Sequence, residues 1–386
     1  MAQMSGNLHT LDVAIIGGGL AGLYLAHLLT EQRGESWARR NVAVFDARSR
    51  CGGRIYGLSL EGEGQHLDLG PSWVWPDDQP LISRLIAKFQ LPLLRQWQQG
   101  SALYQPHRET PPQRYRDEQT YAGACRLVGG TVKLVEAIAN TLPVSVIKTG
   151  YQLRDLRDDD SHVTLHFQSD VAPEPVEIQA RQVILAMPPR LAESSLNFSP
   201  TLPSELRSLM QGTPTWMAGQ AKVALQYTHP FWREQGFSGA ALANYPGAML
   251  GEVFDACGVQ SRPAGLGAFM ALPPSSRKEW QDDLPPLIMD QLIRLFGQEA
   301  ASPVQMQVKD WAHDRFTATP KDMEPLFEHP QYGHRWLELD HWNDKLFLCG
   351  SETSRQAGGY MEGALHSAER VFNALAVSIG VEAEYA

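Results

Sequence analysis

The chain has 386 residues and a formal net charge of -10, which is enough length for roughly two domains. The acidic balance argues against a general nucleic-acid-binding protein, because such a protein would present a basic face. The cysteines Cys51, Cys125, Cys257 and Cys349 form no C-x-x-C pair. We therefore expect the reduced thiols of a cytoplasmic protein, with neither a disulfide framework nor a metal site.

The start of the chain predicts a strand, a glycine turn and a helix. An apolar run over 13–16 is typical of a buried parallel strand, and apolar residues at helical spacing follow over 20–29. Between them Gly17, Gly19 and Gly22 form a G-x-G-x-x-G motif. In a dinucleotide-binding turn these glycines permit the tight turn, the close approach of a pyrophosphate and the packing of helix on strand.

The residues around this motif support the same interpretation. The helix would begin at Leu20 and Ala21, where backbone N–H groups can bind phosphate. A second apolar strand over 42–45 ends in Asp46, whose carboxylate can accept hydrogen bonds from ribose hydroxyls. The alternative is a glycine-rich turn that serves packing alone. The adjacent glycines argue against a membrane span, and no basic segment precedes the apolar run as it would in a signal peptide.

A second glycine-rich motif follows in the sequence ARSRCGGRIYG. Arg48, Gly52, Gly53 and Arg54 form R-x-x-x-G-G-R. Paired glycines bring backbone amides close to a ligand, and an arginine can bind a phosphate through two N–H groups. The alternative is a glycine turn beside a surface arginine.

With these two motifs and the acid that ends the second strand, the chain resembles the flavin-containing amine oxidases. That family includes monoamine oxidases, polyamine oxidases and L-amino-acid oxidases. The resemblance implies an α/β fold, in which a Rossmann-like FAD-binding domain of the glutathione-reductase type is interleaved with an α+β substrate domain. The implied FAD-binding domain comprises 1–71, 125–190 and 341–386, and the substrate domain comprises 72–124 and 191–340.

The resemblance also implies which residues contact FAD. In the N-terminal motifs these are Gly17, Gly19, Leu20, Ala21, Gly22, Asp46, Ala47, Arg48, Gly52, Gly53 and Arg54. In the stretches HLDLGPSWVWP and CGSETSRQAGGYMEG they are Gly70, Pro71, Ser72, Trp73, Gly350, Glu352, Gly359, Tyr360 and Met361. Leu153 is the nearest match to the family's backbone contact with the adenine. Asp46 stands where the family usually has Glu.

Two residues are implied to act in catalysis. Lys222, on a predicted strand over 222–225, matches the family lysine that holds a water against flavin N5. The alternative is a strand-edge lysine whose ammonium stays in solvent. Tyr360 matches one wall of the family's aromatic substrate cage, and Trp73 or Phe316 would line the same pocket. Trp73 has an alternative role in packing.

The chain departs from the family pattern at two neighbouring positions. Pro320 stands where covalent members carry the cysteine bonded to FAD, and Lys321 stands where an aromatic cage residue is often found. We therefore expect non-covalent FAD and an incomplete cage. No helical pair of histidines suggests a metal site, and the histidines after 327 are interpreted as surface or loop residues.

The remaining sequence predicts further helices, strands and loops. These are a helix over 80–94, a loop over 96–119, a helix from 129 to 140, strands over 144–147, 152–156, 162–167, 182–186, 304–310 and 346–349, and a helix over 282–296.

The reaction implied by the resemblance is FAD-dependent oxidation of a small-molecule amine to an imine, which water hydrolyses to a carbonyl compound. Oxygen would be the acceptor, giving hydrogen peroxide. The alternatives are an L-amino-acid oxidase that holds a carboxylate through Arg95, Arg108 or Arg114, a FAD-dependent dehydrogenase or desaturase with another acceptor, and a non-enzymatic FAD-binding protein. The polar residues 381–386 predict no membrane anchor.

Overall fold

The computed structural model describes residues 10–61, 64–117, 119–172, 174–326 and 328–378, so the polar stretch 381–386 lies outside the described residues. The chain divides into two compact units that are each built from separated segments. The first unit comprises Met1–Gly53, Val135–Trp216 and Glu328–Ala386, and the second comprises Arg54–Leu134 and Met217–Phe327.

The strands, in chain order, are β1 (Leu11–Ile16), β2 (Val42–Asp46), β3 (Gly57–Ser59), β4 (His66–Asp68), β5 (Leu93–Arg95), β6 (Ser101–Gln105), β7 (Gln113–Tyr115), β8 (Cys125–Leu127), β9 (Ile147–Thr149), β10 (Tyr151–Asp158), β11 (Val163–Ser169), β12 (Val176–Leu185), β13 (Asn197–Ser199), β14 (Ala221–Tyr227), β15 (Phe237–Ala243), β16 (Leu250–Asp255), β17 (Ala264–Met270), β18 (Gln305–Asp310) and β19 (Leu346–Leu348). The α-helices are α1 (Leu20–Arg33), α2 (Glu35–Asn41), α3 (Pro80–Lys88), α4 (Val132–Ala139), α5 (Pro189–Ser195), α6 (Ser204–Gly212), α7 (Phe231–Glu234), α8 (Pro274–Glu279), α9 (Leu284–Phe296), α10 (Arg335–Glu338) and α11 (Met361–Ser378).

The first unit is built on a mixed sheet with the strand order β13-β10-β11-β12-β1-β2-β9, and β19 also pairs with β12. β1 lies between β2 and β12 and runs parallel to both, so Val13 is opposite Val42 and Gln182. The apolar residues of β1 from Val13 onward and those of β2 are buried, as expected for strands covered on both faces. The carboxyl end of β1 leads directly into the glycine turn and α1, as the sequence predicts.

The second unit contains an antiparallel-rich sheet with the order β18-β14-β17-β16-β15-β6-β7. β14 pairs with β17 and β18, which places Lys222 opposite Phe269 and Lys309. Val223 and Leu225 on β14 belong to a buried apolar cluster that also includes residues of α9. The sheet therefore holds Lys222 on a well-packed strand.

Several predicted elements differ from the structure. The helix predicted over 80–94 ends at Lys88, because Gln90 takes a left-handed φ of 53° and Pro92 follows. The predicted loop over 96–119 contains β6 and β7, which add to one edge of the second unit's sheet. The strand predicted over 144–147 begins as the 3₁₀ turn Val144–Val146 before β9.

The bounds of the compact units also differ from the predicted domains. Residues 54–71 and 125–134 belong to the second unit, whereas 191–216 and 328–340 belong to the first. The division of binding roles between the two units stays a prediction. Within the described ranges, no helix has the length and apolar character needed to cross a membrane.

Candidate functional site

The glycine turn after β1 has close backbone approaches that admit no side chain. Gly17 has a φ of +118°, and a Cβ there would lie 2.2 Å from the Ala186 carbonyl oxygen. A Cβ on Gly22 would lie 2.0 Å from the Gly17 carbonyl oxygen. Around Gly19, in contrast, the nearest atom of the described residues to a Cβ would be the Cα of Gly53, at 4.0 Å. The turn therefore packs tightly on the sheet side and stays open beside Gly19.

The start of α1 has the features of an anion-binding helix terminus. Its N-cap is Gly19, which makes no side-chain capping hydrogen bond, and the first turn contains no acidic residue. The N–H groups of Leu20 and Ala21 thus begin the 14-residue helix α1 with no acidic side chain in the helix's own first turn. Such a terminus carries a partial positive charge and favours phosphate.

Asp46 ties the glycine turn to the second motif. Its carboxylate accepts hydrogen bonds from the N–H of Gly18 at 2.8 Å and the N–H of Arg48 at 2.7 Å. The Gly52 N–H donates to the Gly18 carbonyl at 2.8 Å. Arg50 donates to the carbonyls of Cys51 and Gly53, at 2.9 Å each, and so fixes the loop that carries the paired glycines. The two predicted cofactor motifs therefore form one connected surface, and Asp46 has a structural part in it.

The C-terminal motif belongs to the same unit. Gly350, at a φ of +133°, follows β19 and donates its N–H to the Ser367 hydroxyl at 2.9 Å. Glu352 is fully buried and accepts hydrogen bonds from the Ser351 hydroxyl at 2.9 Å and the Trp216 N–H at 3.2 Å. A Cβ on Gly359, which has a φ of +83°, would lie 3.0 Å from the Trp216 ring. The Trp216 ring therefore packs against the backbone just before α11, which begins at Met361.

Tyr360 is 42% exposed and is therefore not a core tyrosine. Its ring stacks on that of His329, with centroids 5.2 Å apart and an interplanar angle of 8°. The Trp216 ring lies 6.4 Å from Tyr360 and 4.4 Å from His329. Tyr332 contacts the His329 ring edge-on at 5.6 Å. We call Trp216, His329, Tyr332 and Tyr360 the aromatic cluster.

Lys222 is 3% exposed, so the alternative of a lysine with its ammonium in solvent is wrong. Its Nζ donates hydrogen bonds to the Gly70 carbonyl at 2.7 Å and to the Ser72 hydroxyl at 2.6 Å. The ammonium also lies 4.9 Å from the Phe269 ring centroid and 5.2 Å from that of Phe254. Lys222 thus holds the 70–72 segment through two neutral acceptors, and aromatic faces lie beside its ammonium. The resemblance places this segment at the flavin edge.

The electrostatic surroundings of Lys222 weaken its hold on a proton. Burial lowers the pKa of Lys222 to about 8, although the nearby carboxylates of Asp68 and Glu252 act in the opposite direction. Arg126 lowers the pKa of Lys222 further. Asp68 itself accepts two hydrogen bonds from Thr131, and its own burial raises its pKa. Lys222 therefore loses its proton at a lower pH than an ordinary lysine does.

Trp73 and Phe316 belong to the second unit. Trp73 packs against Tyr121 and Phe254, with centroids 5.2 and 4.6 Å away, and donates its indole N–H to Gln96 at 2.8 Å. This contact set agrees with the packing role that we weighed for Trp73. The Arg315 guanidinium lies 4.5 Å from the Phe316 ring. A place in the substrate pocket stays a prediction for both residues.

Comparison with known proteins decides the family. A family model described as flavin containing amine oxidoreductase matches residues 108–375, which is well over half of the chain, and a model of NAD(P)-binding Rossmann-like domains matches 15–89. The chain belongs to the flavin-containing amine oxidoreductase family. Membership implies FAD as the cofactor and an oxidoreductase activity, as the sequence predicts.

Individual relatives are distant. The chain is 22% identical to the flavin-containing amine oxidase A of Equus caballus, over 99% of this chain and 88% of that protein. It is 23% identical to an L-amino acid dehydrogenase of Synechocystis, over 94% of both chains. It is 24% identical to a probable flavin-containing monoamine oxidase A of Dictyostelium discoideum, of which it spans about half, 52%.

Solved structures share the fold. A cyclohexylamine oxidase from Brevibacterium oxydans has a TM-score of 0.75 and 19% identity, over 96% of this chain and all of that one. A putrescine oxidase bound to putrescine has a TM-score of 0.73 and 19% identity, over 95% of this chain and 99% of that one. Together with the mixed sheets, these matches confirm the predicted Rossmann-like α/β fold.

For this amine oxidoreductase, the first unit fits the dinucleotide part of FAD. The open side of Gly19, the uncapped start of α1 and the close packing at Gly17 and Gly22 suit a pyrophosphate. The predicted contacts of Ala47, Arg54, Pro71 and Met361 rest on the resemblance. Leu153 is buried in the sheet core, so only its backbone could meet an adenine.

Our sequence reasoning missed two contributors. Trp216 lies in the stretch TWMAGQAKV, from which we selected only Lys222. His329 was interpreted as a surface or loop residue; it is exposed, but its ring stacks on Tyr360. No local pattern marks either residue, because Trp216 meets His329 and Tyr360 across more than a hundred residues and His329 meets Tyr360 across 31.

Proposed function

We propose that this chain is an FAD-dependent amine oxidase that converts an amine to an imine, which water hydrolyses to a carbonyl compound. Molecular oxygen is the proposed acceptor, giving hydrogen peroxide. When bound, FAD supplies the two-electron oxidation, and the protein supplies position and field. The pattern at Pro320 supports FAD that is not covalently attached.

The observation that carries the proposal is the burial of Lys222 against Gly70 and Ser72. An ammonium has three donors, and among the described residues that of Lys222 donates to two acceptors. Its third N–H is therefore available to a water molecule, which is the role that the resemblance implies. Lys222 and Tyr360 belong to different units, and the role proposed for each residue is argued from its own unit.

The ring of Tyr360 supports the proposal that the substrate is an amine. Together with Trp216 it presents aromatic surface that excludes water from a bound amine. Loss of water lowers the pKa of an ammonium, and the neutral amine is the form that can be oxidised. The putrescine and cyclohexylamine oxidases that share the fold are named for aliphatic amines, which makes such amines the first substrates to test.

The experiment is anaerobic mixing of the purified flavoprotein with a panel of aliphatic and aromatic amines. We expect at least one amine to bleach the flavin absorbance, and readmitted air to restore it with release of hydrogen peroxide. A flavin that dithionite bleaches but no amine does would contradict the proposal. The Lys222→Met variant should bind FAD and turn over more slowly than the wild type.

A second candidate is an amino-acid oxidoreductase, because the L-amino acid dehydrogenase of Synechocystis matches nearly the full length of both chains. Such an enzyme needs a cation for the substrate carboxylate. Among the arginines that we singled out, Arg108 pairs with Asp290 at 3.5 Å and Arg114 lies 4.4 Å from the Phe237 ring. Arg95 is exposed on β5.

L-amino acids in the same anaerobic panel separate the two candidates. Bleaching by amino acids but not by their decarboxylated amines would favour the second candidate. Reduced flavin that oxygen reoxidises slowly, and an added quinone quickly, would indicate a dehydrogenase.

A further inference from the structure

His329 and Tyr360 form a stacked pair at the start of α11. Their ring planes are within 8° of parallel, and their centroids are 5.2 Å apart. A substrate group between two parallel rings needs about 7 Å, which is twice the optimal separation of carbon atoms. No substrate group therefore fits between the two rings, and His329 lies against part of one face of Tyr360.

The stack is held by residues from a third segment. Trp216 contacts His329 at 4.4 Å, and its backbone N–H donates to the buried Glu352. Tyr332, edge-on to His329, donates its hydroxyl to the Pro214 carbonyl at 3.0 Å. The 214–216 segment thus anchors two neighbours of His329, which keeps the imidazole in place.

We propose that His329 is a positioning residue for Tyr360 that fixes the orientation of the phenol ring and leaves a single ring face to receive the amine. This inference rests on the proposed function, in which Tyr360 faces the substrate. It also explains how Tyr360 has an aromatic neighbour although Lys321 stands where the family often has an aromatic cage residue. The imidazole of His329 is that neighbour. Because the imidazole touches Tyr360 directly, its role is to hold that ring and not to contact the amine.

The stack is tested first without turnover. In the holoenzyme labelled with ¹³C-histidine, the His329 ring signal is assigned by its loss in His329→Phe. We expect ring currents from Trp216, Tyr332 and Tyr360 to displace it from the signals of exposed histidines. Tyr360→Leu should move the signal toward those of exposed histidines, and Tyr360→Phe should leave it displaced. An unchanged signal in Tyr360→Leu would overturn the proposal.

The role in recognition is tested by kinetics with the best amine substrate. His329→Ala should raise KM by about threefold to tenfold, the worth of one aromatic pair, with kcat changed less than KM. His329→Phe keeps a planar ring and should restore KM. His334→Ala is the matched control, because His334 lies in the same segment and its ring accepts a hydrogen bond from Trp336 at the start of α10.

Two outcomes would overturn the proposal at this stage. One is a KM of His329→Ala within the range of the His334→Ala control. The other is a His329→Phe variant as impaired as His329→Ala. If His329→Ala does not fold, His329→Leu replaces it, since leucine keeps apolar bulk without a planar ring. If no amine bleaches the flavin, the proposed function is contradicted. The His329 ring signal would still test the stack on Tyr360 independently.

Discussion

At the scale of single residues, Lys222 is deeply buried, and no carboxylate of the described residues contacts its ammonium directly. Its ammonium is held by a carbonyl, a hydroxyl and aromatic faces, and burial lowers its pKa to about 8. A lysine with a depressed folded-state pKa destabilises the fold while it is protonated. Between about pH 8 and the ordinary lysine pKa, the folded state releases this proton and the unfolded state keeps it. Stability from this group therefore rises with pH.

The prediction compares the wild type with Lys222→Met by urea unfolding at pH 7 and pH 9.5. The free energy of unfolding of the wild type, relative to the variant, should increase by about 2 kcal/mol over this range. The buried thiols of Cys51 and Cys257 have raised pKa values, so their contribution to stability falls as pH rises. Taking the difference between the two proteins cancels this contribution. A pH-independent difference would mean that Lys222 keeps an ordinary pKa.

Sequence reasoning at this scale succeeded where a motif fixes a residue's neighbours along the chain. Gly17 and Gly22 could be assigned to the turn and to helix packing because strand, turn and helix are contiguous. Lys222 could be placed on its strand, but its contacts with Gly70 and Ser72 come from a segment about 150 residues away. His329 could not be selected, because stacking on Tyr360 leaves no periodicity in the sequence.

At the scale of elements, the β1–α1 turn depends on Gly22. A Cβ there would lie 2.0 Å from the Gly17 carbonyl oxygen and 3.1 Å from the Ile15 side chain, so Gly22→Ala must push α1 away from the sheet. We expect a loss of about 1–3 kcal/mol in the free energy of unfolding and weaker FAD binding, measured by urea unfolding and by flavin titration of the apoprotein.

Gly212→Ala is the control for this variant. Gly212 ends α6, and a Cβ there would meet no atom of the described part of the chain within 4 Å, so the substitution should change stability by less than about 1 kcal/mol. Equal effects of the two substitutions would show that the close approach at Gly22 is not what the turn requires.

The elements that could be predicted are those whose apolar pattern reflects burial on both faces, such as β1, β2 and β14. The misassigned stretch 96–119 contains β6 and β7, of which β7 is an edge strand with exposed polar residues. An edge strand pairs on one side only, so its sequence resembles a loop. α3 ends at Lys88 although the apolar spacing continues, because the backbone turns at Gln90 before Pro92.

At the scale of the whole molecule, each compact unit is assembled from segments separated along the chain. The resemblance predicts which segments carry the cofactor motifs and which carries Lys222, and that assignment of roles stays a prediction. The bounds of the compact units could not be predicted, since they depend on which sheet each connection packs against. The 191–216 stretch, for example, pairs β13 with β10 and so joins the first unit.

The last prediction concerns how the first unit holds its cofactor. The glycine turn and the start of α1 fit the pyrophosphate of FAD, and the resemblance predicts Pro320 at the position where covalent members carry the cysteine bonded to FAD. Unfolding the holoenzyme in guanidinium should therefore release all flavin through an ultrafiltration membrane. Added to the apoprotein at 100 times its Kd, FAD should stabilise the fold by about 2.7 kcal/mol.

FMN is the matched ligand for this experiment, because it carries the same ring without the pyrophosphate-linked adenosine. At equal concentration it should raise Tm much less than FAD does, since it lacks the groups that the turn after β1 would bind. Flavin retained on the unfolded chain would establish a covalent bond at some residue other than 320. Equal stabilisation by FMN and FAD would show that the glycine turn does not bind the cofactor. It would also contradict the role proposed here for Gly19 and the start of α1.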